Sequence, residues 1–424
     1  MAVPAIEKLR SLARRQAFHL KWMTPQRQTV REALRLRVFN TLYWPSGINE
    51  NTGAENFMEK NVMKNAAKKP IFQVKPYVPG RPIEEVKREY GLKSVIKLAS
   101  NENPYGPSPK VMAAIKKAAL GVNRYPDGGC FILRQELAKR LKVGPDQLVF
   151  GNGSDETIVL AVKAFVQEGD EVIIAQPTFL VYEIASRLAG AAVKAVALNG
   201  FNYDLNAMRV AVTAKTRIIF LGNPDNPAGS YIPRDAWENF IRSVRKDILI
   251  FIDEAYFEFV DAPDYGDSIT LIKSYKNVVV SRTFSKMYGL AGLRIGYAVA
   301  DAQVADILNR VREPFNVNSL AQAAAVACLK DSAFYRRIAK ESAAQREWIY
   351  GELDKLGVEY RRTFTNFVLI KTKLPAADLS KQLLRQGVII RDMSAWGLDH
   401  YIRVSIGKPA ENKRFIKILG SLSF

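Results

Sequence analysis

The sequence predicts an α/β protein, with a large domain on a mostly parallel sheet and a smaller α+β domain. From about residue 70, short apolar runs alternate with segments of helical period. Strands alternating with helices build parallel sheets. Many of the runs are continuously apolar, as expected of strands covered on both faces. Beyond about residue 330 the texture changes to a long charged helical pattern followed by short strands and helices, which suits a smaller α+β unit.

Residues 1–70 carry 13 Lys and Arg against 5 Asp and Glu, a net of +8. Segments 5–20 and 27–39 are Arg-rich and partly amphipathic, and PSGINENTGAEN (45–56) is a polar breaker run. A loosely structured, basic, non-catalytic extension is expected there, without the apolar core and small-residue cleavage site of a secretory signal. Residues 71–105 form an N-terminal segment joining the small domain. The large domain spans 106–330. Its strands are LVF (148–150), EVIIA (171–175), AVKAVAL (192–198), RIIFL (217–221), DILIFID (247–253), NVVVSRT (277–283) and IGYAVA (295–300). Helices are expected over 155–169 and 182–190. The small domain spans 331–424. It opens with a helix over about 333–356, continues through VEYRRT, NFVLIK, a helix near 376–386, VIIRD and YIRVSIG, and closes on a helix from Ala410.

The 424 residues are 48% hydrophobic and 25% charged, which excludes a mainly disordered chain and a fibrous repeat. No run approaches the ~18 apolar residues of a membrane span. Cys130 and Cys328 are too few for a disulfide framework and fit a reducing compartment. His19 and His400 are the only histidines, so a zinc site of three histidines is impossible. The net charge of +20 is spread along the chain. Scattered surface lysine explains it, and an anionic substrate is compatible with it.

Chemistry concentrates at strand ends. Lys286, in SRTFSKMYGLAGLRIGYAVA, follows a strand among small and polar residues. A lysine there is either a solvated charge or a Schiff-base former. Thr283 and Ser285 offer hydroxyls beside it, and Arg294, eight residues on, offers a guanidinium matched to phosphate oxygens. GNGSDET (151–157) leads from a strand into a helix N-terminus, whose free N–H groups attract anions. Asp253 ends an apolar strand, where a carboxylate needs a partner. A pyridinium N–H is one; capping the next helix is the plain alternative. Asn226, in NPDNPAG, reads as a turn residue or a ligand, and Phe179, in QPTFLVYE, as core or as a surface for a flat ring. The ordered set decides for a ligand: anion loop, strand-end Asp, Lys 33 residues later, Arg 8 after that.

With these residues in place, the chain resembles the pyridoxal-phosphate-dependent aminotransferases of the aspartate-aminotransferase fold (class II), specifically the histidinol-phosphate aminotransferase family. KPYVPGRPIEEVKREYGL, KLASNENPYGPSP, RYPDG, FGNGSDE, NPDNPAG, DEAYFEF, RTFSKMYGLAGLRIGY, REPFN, TNFVLI and YIRVSIG carry the resemblance over about 74–420. It implies fold type I with a mostly parallel seven-stranded sheet. It also implies that Lys286 forms the internal aldimine with pyridoxal 5'-phosphate and moves the proton. Asp253 would hold the pyridine nitrogen protonated, with Tyr256 and Asn226 on the ring hydroxyl. Phe179 would stack on the ring, where relatives often carry Tyr or Trp. Ser154, Asp155, Thr283, Ser285 and Arg294 would cup the phosphate, and Tyr125 would reach it from the other subunit of a homodimer. Arg403 would grip the substrate's anionic end, helped by Arg391, Tyr77 and Asn226. Ala228 stands where the family usually has Thr, a change expected to affect loop packing rather than chemistry.

The implied activity is cytoplasmic transamination between histidinol phosphate and imidazole-acetol phosphate, in histidine biosynthesis, with 2-oxoglutarate and glutamate as the amino pair. An aromatic amino acid aminotransferase and a phosphothreonine decarboxylase are rivals on the same scaffold. A transcription regulator with a DNA-binding arm is a rival of another class. Its arm would be shorter and more irregular than a winged helix plus linker, without helix-turn-helix spacing. No nucleic-acid, membrane or metal partner is expected.

Overall fold

The computed structural model describes residues 63–422. The chain divides between Lys68 and Lys69. Within Met63–Lys68, the Ala67 N–H donates to the Met63 carbonyl (3.1 Å). The extension expected over 1–70 therefore lies almost wholly outside the described residues.

The second unit begins with a 3-10 helix (Lys69–Gln73), followed by helix α1 (Ile83–Tyr90) and strand β1 (Ile96–Lys97), then α2 (Pro109–Ala119) and α3 (Phe131–Leu141). The main sheet follows: β2 (Leu148–Gly151), α4 (Ser154–Phe165), β3 (Glu171–Gln176), α5 (Leu180–Leu188), β4 (Ala192–Ala197), α6 (Leu205–Val210), β5 (Thr216–Gly222), α7 (Arg234–Ser243), β6 (Leu249–Asp253), β7 (Val278–Thr283) and β8 (Gly296–Ala300). These seven strands lie in the order β2-β8-β7-β6-β5-β3-β4. Neighbours from β4 through β7 pair in parallel, while β8 is antiparallel to both β7 and β2. No α-helix intervenes between β7 and β8, and a chain that returns without a crossover must return antiparallel.

Along β6, Ile250 and Ile252 enter one apolar cluster while Leu249 and Phe251 enter another. That alternation is what a strand covered on both faces requires, since side chains alternate with period two. AVKAVAL is a strand, as expected, and its place in the sheet differs from that of the buried runs. It forms β4, but at the sheet edge with no residue buried. Lys194 in mid-strand is the mark of an edge, and it pairs with Glu171 (3.0 Å).

The remaining chain holds α8 (Ala302–Arg310), α9 (Ser319–Leu329) and the long α10 (Ser332–Lys355). It ends with β9 (Tyr360–Arg361), β10 (Phe367–Lys371), α11 (Ala376–Arg385), β11 (Val388–Ile389), β12 (Arg391–Asp392), β13 (Tyr401–Ser405) and α12 (Pro409–Ser421). Strands β12-β13-β10-β9 make an antiparallel sheet. β1 pairs in parallel with β11, Ile96 opposite Val388, so the segment before the main sheet is stitched to the C-terminal part. Among the described residues, no helix is long and apolar enough to cross a membrane.

Candidate active site

Every expected site residue on the large sheet gathers at one edge. Gly151 closes β2, Gly222 closes β5, Asp253 closes β6 and Thr283 closes β7, and Gly151 and Thr283 both lie opposite Gly296, the start of β8. In open α/β sheets, ligands sit outside such carboxyl ends. The loop between β7 and β8 carries Ser285, Lys286 and Arg294. It is tightly bound: the Phe284 N–H donates to the Ile295 carbonyl (3.1 Å) and the Leu290 N–H to the Phe284 carbonyl (3.0 Å). Gly289 has φ +70°, and a Cβ there would lie 2.8 Å from the Gly106 carbonyl carbon.

The Lys286 ammonium donates to the Ser100 carbonyl (3.1 Å). Burial, with the Arg403 guanidinium also facing it, pulls its pKa down to about 8. Asp253 is buried, which pushes its carboxyl up to about 7 against two hydrogen bonds that favour the ionised form. The Tyr182 hydroxyl donates to Oδ2 (2.8 Å) and the Ala255 N–H to Oδ1 (3.1 Å). Tyr182 is itself buried, its ring stacked on Phe220 at 4.7 Å, and Phe179 meets it edge-on at 5.6 Å. Tyr256 is buried, which raises its phenol to about 12, and its oxygen accepts from Asn101 Nδ2 (2.8 Å).

An anion cradle lies at the start of α4. A Cβ on Gly153 (φ +84°) would fall 2.4 Å from an Arg294 nitrogen, and one on Gly296 would fall 2.4 Å from the Ser154 nitrogen. Only glycine leaves this space open. Arg294 pairs with Asp155 (3.0 Å), so the Asp155 side chain is spent on Arg294. Free N–H groups of the helix start, with Ser154, Thr283, Ser285 and Arg294 around them, can hold an anion.

These residues share one cavity of ≈ 180 Å³ with Phe179, Asn226, Asp253, Tyr256, Lys286 and Tyr77. A second recess of ≈ 90 Å³ shares Lys286, Tyr256, Phe179 and Asn226 and adds Arg391, Trp396 and Arg403. Arg391 and Arg403 face each other across the β12–β13 pair. Arg403 is buried; it donates to Asn226 Oδ1 and to the Ala99 carbonyl (3.0 Å), and its Nε has no partner among the described residues. Arg391 donates to the Val78 carbonyl (2.9 Å) and lies 5.6 Å from the Tyr77 ring and 5.0 Å from Trp396. Like charges directly opposite on neighbouring strands repel, and an anion between them would relieve that repulsion.

Tyr125 does not reach this cavity within the chain. It is 83% exposed and stacks on Phe315 at 4.8 Å. The sequence also gives no prominence to Tyr182, Ala255, Asn101 or Trp396. Tyr182 has a local signal, one helical turn past Phe179. Trp396 has none, and Asn101 is marked only by its block KLASNENPYGPSP, because the partners of both are far away in sequence. Ala228 is buried and donates its N–H to Asp225 (3.2 Å).

A flat carbonyl compound with an anionic tail suits this cavity, which brings together an anion cradle, a buried carboxylate and an amine of lowered pKa. Comparison with known proteins agrees. The family model for aminotransferase class I and II matches residues 93–419. A histidinol-phosphate aminotransferase of Moorella thermoacetica is 43% identical over 350 residues, 82% of this chain and 91% of that protein. A histidinol-phosphate aminotransferase from Sinorhizobium meliloti, solved with pyridoxal-5'-phosphate, superposes with a TM-score of 0.77 at 28% identity, covering 84% of this chain and 99% of that one. L-threonine-O-3-phosphate decarboxylase from Porphyromonas gingivalis superposes with a TM-score of 0.69 at 29% identity, covering 77% and 99%. The chain belongs to the class I and II aminotransferases and, within them, to the histidinol-phosphate aminotransferase family.

Proposed function

We propose that the chain is a pyridoxal-phosphate-dependent transaminase acting on histidinol phosphate and imidazole-acetol phosphate, with 2-oxoglutarate and glutamate exchanging the amino group. The observation that carries this reading is the pair Arg391 and Arg403, opposed across two strands beside Lys286. Two guanidiniums can each make parallel charge-assisted bonds to a phosphate. The two solved relatives at 28% and 29% identity bear different activities, so the fold alone does not choose between them. The 43% identical relative favours the aminotransferase.

The residues fit pyridoxal phosphate. The cradle of Ser154, Thr283, Ser285, Arg294 and the backbone of Asp155 would take the phosphate, and the glycine at 153 leaves it room. Asp253 would pair with the ring nitrogen, oriented by Tyr182 and Ala255. Asn226 and Tyr256 would hydrogen-bond the ring oxygen, and Phe179 would cover one ring face. When bound, the group supplies an electron sink for the charge left on the substrate carbon. Lys286, neutral at a lower pH than a solvated lysine, takes the proton from the substrate Cα and returns it. Arg403 and Arg391 hold the anionic end, and Tyr77 lies at the mouth, 51% exposed.

We assign 106–330 to a large domain and 331–424 to a small one, with 71–105 attached to the latter through β1. A cytoplasmic homodimer completes the reading. Tyr125 would serve the partner's phosphate cup, and the apolar Leu120, Phe131 and Ile132, exposed near it in sequence, suit a covered face.

An absorbance scan of the cofactor-loaded protein tests the reading. Adding L-histidinol phosphate without an oxo acid should bleach the visible band and raise a near-ultraviolet band. A response to phenylalanine instead would favour the aromatic aminotransferase, and release of carbon dioxide from phosphothreonine the decarboxylase. No visible band on loading would remove Lys286 from its role.

A further inference from the structure

Asn101 sits in the segment before the main sheet, buried and with φ +55°, a conformation that Asn tolerates better than most residues. It joins three distant parts of the chain. Its backbone N–H donates to Ser405 Oγ (2.8 Å) on β13. Its carbonyl accepts from Asn366 Nδ2 (3.0 Å). Its side chain lies between Ser405 and Tyr256.

The direction of these bonds follows from counting protons. Ser405 Oγ already accepts the Asn101 backbone N–H, so its own proton must find an acceptor. Among the described residues its remaining partner is Asn101 Oδ1, at 3.1 Å. The reverse placement of the amide would leave that proton buried and unpaired, which is costly. The amide NH₂ therefore faces Tyr256 Oη, at 2.8 Å, and the tyrosine oxygen accepts. A hydroxyl that accepts from one side still has a proton to give. Both recesses are lined by Tyr256.

We propose that Asn101 is a positioning residue that makes Tyr256 a hydrogen-bond donor into the cavity. The proposal rests on the reading above, in which the cavity takes pyridoxal phosphate and Tyr256 faces its ring oxygen. That oxygen carries negative charge, and a donor stabilises it where an acceptor would repel it. Through Ser405, the same amide ties this donor to the strand that carries Arg403.

The test reads the pH at which the visible absorption of the cofactor-loaded protein titrates. A donor on the ring oxygen stabilises the deprotonated chromophore, so losing it moves the titration up. Tyr256→Phe should move it up by about one pH unit. Asn101→Asp should do nearly the same, because a carboxylate accepts the Tyr256 proton and turns it out of the cavity. In the Tyr256→Phe background, Asn101→Asp should add less than half of its single-variant shift. Ser405→Ala leaves both residues in place but frees the amide to turn. It should give a smaller upward shift, again lost in that background.

Asn101→Asp or Ser405→Ala titrating like the unaltered protein would overturn the proposal. So would equal shifts in both backgrounds, which mark a remote charge effect. A wild-type protein that binds no visible chromophore would overturn the cofactor reading and this proposal together. A normal band that Tyr256→Phe does not shift would overturn this proposal alone.

Discussion

The two ends of the site are built differently. At the anion-cradle end the guanidinium is balanced within the chain, Arg294 by Asp155, while Asp253 is held by the neutral donors Tyr182 and Ala255. At the other end, neither Arg391 nor Arg403 pairs with a carboxylate among the described residues; their protein partners are carbonyls, an amide oxygen and aromatic rings. A balanced site suits a resident group, and an unbalanced cationic one suits a ligand that arrives with its own negative charge and leaves again. Behind the balanced end lies a further buried pair, Arg282 with Glu254 at 2.7 Å, the guanidinium 3.5 Å over Phe257. It joins the ends of β6 and β7, beside Asp253 and Thr283.

The largest expected effect is at the lysine both ends share. Lys286→Ala should lower turnover of histidinol phosphate by about 10⁴-fold while circular dichroism stays native, because among the described residues no other lysine lines the cavity to move the Cα proton. Retained turnover would end the distinction between the two ends. Next is stability behind the balanced end. Glu254→Ala should cost about 3–5 kcal/mol in denaturant unfolding, since Arg282 would remain buried without its carboxylate. A loss below about 1 kcal/mol would show that Asp267, 2.6 Å from Arg282, suffices as its counter-charge.

At the unbalanced end, Arg403→Ala should reduce kcat/KM for histidinol phosphate roughly 10²-fold, mostly through KM, from the loss of charge-assisted bonds. Arg391→Ala should do the same more weakly, because its guanidinium is less buried. Equal losses on histidinol phosphate and phenylalanine would mean that this end grips any anion and does not select phosphate. The smallest effect concerns pH. The neutral form of Lys286 attacks a carbonyl, and its pKa is lowered from 10.5 to about 8. The neutral fraction, and with it the rate at which stripped protein regains its visible band, should rise tenfold per pH unit below about 8 and level off above. A rise continuing to pH 10 would show a solvated, unshifted lysine.

Much of the fold was legible because its signals are local. The β6 run LIFID reads as a strand buried on both faces, and GNGSDET reads as a turn into a helix. β4 is legible as a strand, and Lys194 in mid-run fits its place at the sheet edge rather than inside it. The antiparallel return of β8 depends on the connection being too short for a crossover helix, which composition does not announce.

By itself the sequence determined which groups stand at the strand ends: Asp253, Lys286, Arg294 and the glycines at 151 and 153 lie in contiguous runs whose local geometry follows from their residue types. Tertiary structure alone decided which distant groups meet. Tyr182 reaches Asp253 across 71 residues, Asn101 reaches Tyr256 across 155, and Arg391 stands opposite Arg403 only through strand register. Those contacts depend on how sheets and helices pack, and packing is a property of the whole chain that no short run of residues contains.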